Sequence, residues 1–172
     1  MFILPEFAED IGDNPNDIYQ RLVATAEEFV ELREFNPAIN ILFRKDEKLK
    51  GGKRVLASVH IPSVQGELRP LFEWMLEDRF GWMPAFLMII ELDWWKVATS
   101  IEREALVFHE MCHMRVKVDQ FGAPRLSRET GEPQWTCIAH DIEEFNAVVA
   151  RYGAWKCDVA DFLAAARPKD RD

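Results

Sequence analysis

The feature that most constrains this chain is a pair of histidines four residues apart, His109 and His113, with Glu110 directly after the first. The surrounding segment, residues 99–118, contains no Pro or Gly and is rich in apolar residues just before His109, which is typical of a buried helix. In an α-helix, residues four positions apart lie one turn above each other, so both imidazoles can face one metal ion. We therefore predict a helix over residues 99–118 that carries an HExxH metal motif.

Glu110 occupies a different position on this helix from the two histidines. It projects about 100° round the axis from His109, so it can reach a water molecule at the metal rather than the metal itself. Cys112 points about 60° away from His109 and is interpreted as a small buried apolar residue. The motif therefore predicts zinc as the metal and Glu110 as the general base of a hydrolysis. The competing interpretation is a solvated helix whose two histidines merely share a face.

A third metal ligand is expected outside this helix, because catalytic zinc usually has three protein ligands and one open position. The only other histidine downstream is His140, near the start of a helix predicted over residues 138–153. Asp141, Glu143 and Glu144 are alternatives, since a carboxylate can also bind zinc. The apolar residues of the predicted helix lie largely opposite His140, so periodicity leaves the choice open. His140 is the first choice.

The remaining segments predict an α+β domain in which a small mixed β-sheet packs against the HExxH helix and further helices. The predicted elements are a helix at 17–34, a hairpin of strands at 39–44 and 54–61, a helix at 67–80, a buried strand at 85–93 and a short helix at 158–166. A chain of 172 residues is long enough for one compact domain. We assign that domain to residues 1–166 and a polar tail to residues 167–172.

The charge of the chain argues against nucleic acid as a partner. The formal net charge is −9 at pH 7 and no cluster of Lys or Arg is visible, so a phosphate backbone would be repelled. The sequence shows no signal-peptide pattern and no apolar run near the roughly 20 residues that cross a bilayer. Its three cysteines form no CxxC pair, which favours neither a disulfide framework nor a thiolate zinc knuckle. We expect a cytoplasmic protein with a peptide or protein substrate and no membrane partner.

Parts of the chain within residues 89–152 resemble the phage metallopeptidase family, a group of compact zincins related in outline to SprT-like proteins. The matching stretches are Leu92-Asp-Trp-Trp95, the segment from Arg103 through His113, and His140-Asp-Ile-Glu-Glu-Phe145. The resemblance implies a minimal zincin fold in which His109 and His113 bind zinc and Glu110 is the general base. The downstream histidine ligand of the family corresponds to His140. If the chain is phage-encoded, its location is the cytoplasm of a bacterial host.

Two other functions compete with a peptidase. The first is a zinc-binding interaction protein on a zincin scaffold, with little or no hydrolysis, that binds a protein partner through exposed aromatic residues such as Trp94, Trp95 and Trp135. The second is a nucleic-acid-associated protease, which the negative charge disfavours.

Two further expectations concern the surroundings of the metal motif. Residues 119–136 contain two prolines and two glycines and are predicted to form a loop, which is the candidate for the mobile part of the molecule. The sequence leaves open whether this loop covers the site. Arg151 and Tyr152 are candidates for stabilising an oxyanion.

Overall fold

The computed structural model describes residues 1–128, 130–140, 145–157 and 159–160. Its helices are α1 (Pro15–Thr25), α2 (Val30–Phe35), α3 (Arg69–Phe80), α4 (Leu92–Val97), α5 (Ser100–Cys112) and α6 (Asn146–Tyr152). Its strands are β1 (Phe2–Ile3), β2 (Ile39–Arg44), β3 (Leu49–Lys50), β4 (Lys53–Arg54), β5 (Ala57–His60), β6 (Phe86–Glu91), β7 (Met114–Val116) and β8 (Trp135–Cys137). This mixture confirms the predicted α+β class. No helix in the described residues is long and apolar enough to cross a membrane.

The main sheet is mixed and has β6 in its interior. The strand order is β1-β2-β6-β5, with β6 parallel to β2 and antiparallel to β5. The predicted hairpin of residues 39–44 and 54–61 is therefore wrong, because β6 lies between the two strands. The chain after β2 instead forms a small separate hairpin, in which a turn at residues 51–52 joins the short strands β3 and β4. An almost continuous apolar strand buries most surface when it is paired on both edges, which explains the central position of β6.

The helix predicted over residues 17–34 is interrupted in the structure. α1 ends at Thr25, and Ala26 has an extended backbone with φ −88° and ψ 131°. The Arg33 guanidinium donates hydrogen bonds to the carbonyl oxygens of Val23 and Ala26, both at 2.7 Å. These bonds supply donors to carbonyl groups at the break, where the Ala26 carbonyl oxygen otherwise accepts only a long 3.4 Å bond from the Phe29 N–H. Helical periodicity could not predict this break, because the Arg33 side chain bonds a carbonyl group ten residues earlier in the chain.

The predicted helix at 67–80 and the predicted strand at 85–93 are confirmed as α3 and β6. Gly81 ends α3 with a left-handed φ of 82°, a conformation that glycine adopts without steric cost. β6 stops before Trp94 and Trp95, which lie on α4 rather than at the edge of the strand.

α5 is the helix that carries the HExxH motif, and nine of its 13 residues are buried. It begins with a capping box, in which the Thr99 hydroxyl accepts the Glu102 N–H and the Glu102 carboxylate accepts the Thr99 N–H. Its Phe108 ring packs against Phe29, with ring centroids 4.8 Å apart. α5 is thus fixed at its start by a cap and along its length by the core.

The chain after α5 forms a β ladder, so the predicted helical continuation to residue 118 is wrong. β7 pairs antiparallel with β8, and the His113 carbonyl oxygen accepts the Ile138 N–H at 2.9 Å. Met114 and Val116 are buried while the residue between them is partly exposed, which is the alternation of a strand. Three residues are too few for this period to be distinguished from a helical one in the sequence.

Residues 119–128 and 130–136 form a hydrogen-bonded β arm rather than the loop that was predicted. β-bridges join Val118 to Pro124 and Leu126 to Pro133, and the arm returns directly into β8. The arm therefore has its own ladder of backbone hydrogen bonds, which brings β8 and the residues after it back to α5.

The predicted helix over residues 138–153 begins eight residues later, because α6 starts at Asn146. Residues 138–140 are not helical, so His140 precedes the helix instead of lying in its first turn. Asp141, Glu143 and Glu144 lie outside the described residues, as do the tail and nearly all of the predicted helix at 158–166.

Candidate metal centre

The three histidines predicted as metal ligands come together at one point. The Nε2 atom of His140 lies 3.0 Å from Nε2 of His109 and 2.9 Å from Nε2 of His113. One ligand nitrogen from each ring lies within 4.8 Å of the other two. His109 lies on α5, His113 is the residue that ends it, and the segment after β8 supplies His140.

The chemistry of this donor set fits a metal ion. In a tetrahedral zinc site the ligand nitrogens are about 3.3 Å apart, which is a few tenths of an ångström more than the two short separations here. His113 Nδ1 lies 2.6 Å from the carbonyl oxygen of Ile138. A carbonyl oxygen only accepts, so Nδ1 carries the proton and Nε2 of the neutral ring presents its lone pair to the other histidines. A backbone carbonyl that fixes the tautomer in this way is typical of histidine metal ligands.

Phe145 forms a wall of the centre that sequence analysis did not predict. Its ring lies edge-on to all three imidazoles, with centroid distances of 5.3 Å to His109, 4.8 Å to His113 and 5.4 Å to His140. The side chain is buried at the start of α6. A buried ring in this position restricts the imidazoles and excludes water from one side of the cluster. The signal was present, because Phe145 closes the stretch that carries the family resemblance, but periodicity assigned it only to an apolar helix face.

Glu110 is buried on α5, with an exposed fraction of 4%. The pKa of the Cys137 thiol on β8 is raised above its ordinary value, first by partial burial and further by the charge of Glu110, while a hydrogen bond with the Ile61 backbone opposes the shift. The Glu110 carboxylate is therefore near enough to β8 for its charge to act on the Cys137 thiol. The same strand leads directly to His140.

Arg151 and Tyr152 have a different role from the predicted oxyanion contact. The Tyr152 hydroxyl donates a hydrogen bond of 2.6 Å to Glu104 on α5, and Arg21 pairs with the same carboxylate at 2.9 Å. Burial and the hydrogen bond to Glu104 raise the pKa of Tyr152. Arg151 lies over the Phe108 ring, 5.3 Å from its centroid. These contacts hold α6, and with it Phe145, against α5.

The remaining residues singled out in the sequence are mostly buried. Cys112 is buried, as predicted. Trp95 is fully buried, and its indole N–H donates to the Asp13 carbonyl oxygen at 3.1 Å. Trp94 and Trp135 are partly buried and pack on the core. The three tryptophans therefore do not form the exposed aromatic surface that an interaction protein would use.

Comparison with known families identifies one match. The model of the family described as "Putative phage metallopeptidase" covers residues 12–167, which include α1 to α6 and the whole histidine cluster. Neither the curated proteins nor the solved structures contain a match to the chain.

Proposed function

The chain belongs to the phage metallopeptidase family, and on this premise we propose that it is a zinc-dependent peptidase that hydrolyses peptide bonds. In this proposal His109, His113 and His140 bind the zinc ion and Glu110 is the general base. The observation that carries the proposal is the convergence of the three Nε2 atoms at the end of a helix that also carries the buried Glu110. Three protein ligands would leave a fourth position open, as catalytic zinc requires.

The choice of zinc rests on the donor atoms. Imidazole nitrogen suits zinc and also copper, iron and nickel, so three histidines alone favour a borderline metal over magnesium or calcium. A closed structural zinc site would have four ligands, commonly with thiolates. Within the described residues, the cluster of potential ligands contains the three histidines and no cysteine, so an open site is the better fit.

In the proposed reaction, each residue of the site has a separate role. The Lewis acidity that zinc supplies when bound polarises a scissile carbonyl group and lowers the pKa of water. The carboxylate of Glu110 accepts the proton of the attacking water and delivers it to the leaving amine. The Ile138 carbonyl keeps the proton of His113 on Nδ1, and Phe145 excludes water from the apolar side of the cluster.

The proposal is tested with Glu110→Gln. This variant keeps a side chain of the same size but cannot accept the proton, so we expect it to retain zinc and to lose turnover of a peptide library by about 10²-fold or more. The matched control is Glu34→Gln, which alters an exposed glutamate on α2 and should leave turnover unchanged. Full activity of Glu110→Gln would contradict the general-base role.

A non-enzymatic, zinc-binding interaction protein is the alternative. Its predicted contact residues Trp94, Trp95 and Trp135 are buried or partly buried, so they give it no support. The same pair of variants separates the two functions, because an interaction protein would keep its biological effect when Glu110 is replaced.

A further inference from the structure

A concave pocket lies along β7 and the β arm, outside the histidine cluster. Its volume is about 470 Å³, and its wall includes the basic residues Arg115, Lys117 and Arg125 together with Thr136 and Ile138. Lys117 and Arg125 are exposed, and Arg115 is half-buried. A backbone hydrogen bond joins two of these residues, because the Arg125 N–H donates to the Lys117 carbonyl oxygen at 2.7 Å. The β arm therefore forms this pocket.

The pocket is positively charged although the chain is acidic. It contains three cationic side chains and one carboxylate, Glu31, so its formal charge is 3 − 1 = +2 against −9 for the whole chain. Glu31 accepts the Val116 N–H at 3.1 Å, which directs one of its oxygens to the backbone. Within the described residues, Arg115, Lys117 and Arg125 have no ion pair with a carboxylate. Their charges remain available to an anionic group from outside.

The pocket and the histidine cluster have one residue, Ile138, in common. Ile138 lines the pocket, and its carbonyl oxygen accepts the hydrogen bond from His113 Nδ1. An extended peptide advances about 3.3 Å per residue, so a side chain two or three residues from a bond held at the cluster is roughly 7–10 Å away. A pocket that begins at Ile138 can take a side chain at this spacing.

We infer that this pocket binds an Asp or Glu side chain of the peptide substrate, two or three residues from the scissile bond. The inference rests on the proposed peptidase function and adds a substrate class to it. A carboxylate suits the site because the guanidinium groups of Arg115 and Arg125 can each donate two parallel hydrogen bonds to it. Nucleic acid is a poorer ligand, because three cations neutralise little of a phosphate backbone and the rest of the acidic chain repels it.

The test compares Lys117→Glu/Arg125→Glu with the control Lys50→Glu/Lys96→Glu, which makes the same change in net charge at exposed lysines of β3 and α4. All four side chains are exposed, so both double variants should keep the melting temperature of the parent. In the first measurement, each pair of changes is made in the Glu110→Gln chain. Binding of an N-acetylated, C-amidated peptide with two central glutamates is compared with binding of the same peptide with glutamines.

We expect the glutamate peptide to bind more tightly than the glutamine peptide. The pocket variant should weaken that binding by roughly five- to tenfold, while the control changes it by less than about twofold. Equal binding of the two peptides, or equal loss in both double variants, overturns the inference. Tighter binding of a single-stranded oligonucleotide with the same dependence on Lys117 and Arg125 also overturns it.

The second measurement uses the zinc-loaded chain and a peptide library, with cleavage sites read by mass spectrometry. Enrichment of Asp or Glu near the cleaved bond that disappears in the pocket variant supports the inference. Cleavage without enrichment, or with the same enrichment in the pocket variant, overturns the inference and leaves the proposed peptidase function intact. Absence of zinc-dependent cleavage overturns the peptidase function and the assignment of a substrate residue to the pocket.

Discussion

The two segments that supply the three histidines differ in how they are stabilised. α5, which carries His109 and ends at His113, is buried over nine of its 13 residues and has a capping box at its start. The segment that supplies His140 is a three-residue strand followed by exposed, non-helical residues. α5 is therefore part of the core, whereas the segment with His140 is held by the β7–β8 ladder and by its contacts at the cluster. Changes in α5 should act mainly on folding, and changes in the other segment mainly on metal binding.

The largest effect on folding is expected for Phe108→Ala. The side chain is fully buried between Phe29 and the α6 side of the core, so its removal leaves a cavity that should lower the free energy of unfolding by about 3–5 kcal/mol. Urea denaturation of the metal-free protein measures this change. Phe121→Ala removes the same ring from an 84% exposed position and should have little effect. A similar loss in both variants would remove the distinction between core and surface.

Removal of a histidine tests whether the two segments differ in their effects on zinc binding and on folding. His109→Ala and His140→Ala should each lower zinc affinity by about 100-fold or more, since each removes one of three ligands. Only His109→Ala should also destabilise the metal-free chain, because His109 is buried and His140 is exposed. Elemental analysis, chelator competition and urea denaturation measure these effects, with His60→Ala as the control outside the cluster. Zinc lost only with His109 would place the third ligand among Asp141, Glu143 and Glu144.

Tyr152→Phe tests how firmly α6 is held against α5, because the Tyr152 hydroxyl joins the two helices. Loss of the hydrogen bond to the Glu104 carboxylate should lower the free energy of unfolding by about 1–2 kcal/mol. The pKa of Tyr152 is raised in the folded state, so this contribution is complete below the ordinary tyrosine pKa of about 10 and is lost as the pH rises above it. Denaturation at neutral and alkaline pH measures the trend. A difference from wild type that grows with pH would contradict this role.

The smallest effect is expected at the start of α5. Thr99→Ala removes the hydroxyl that accepts the Glu102 N–H and should cost about 1 kcal/mol of stability. Thr99→Ser keeps the hydroxyl and should restore most of the loss. Thermal denaturation compares the two variants, and equal stability would show that the cap does not hold α5.

The sequence predicted those elements whose signals are local. α3 and β6 follow from apolar spacing and an end signal within a single segment, and both are confirmed. The hairpin failed because strand pairing is a choice among partners, and β6, some 25 or more residues further along, pairs with both β2 and β5. The helix over residues 99–118 was too long for the same reason, since pairing of β7 with β8 withdraws residues 114–116 from it. At the start of the helix predicted over residues 138–153, the Ile138 N–H donates to the His113 carbonyl oxygen and so extends this pairing instead.

That His109 and His113 face the same way follows from the sequence alone, because the helical period is a local property of the five residues from 109 to 113. The sequence also selected His140 as a candidate, but it left nearby carboxylates open. Only the tertiary structure decided how His140 reaches the other two rings, and that the Ile138 carbonyl and the Phe145 ring complete the cluster. Those contacts join residues about 25 to 35 positions apart, whose separation is set by the β arm and by packing, and no periodicity within one segment encodes them.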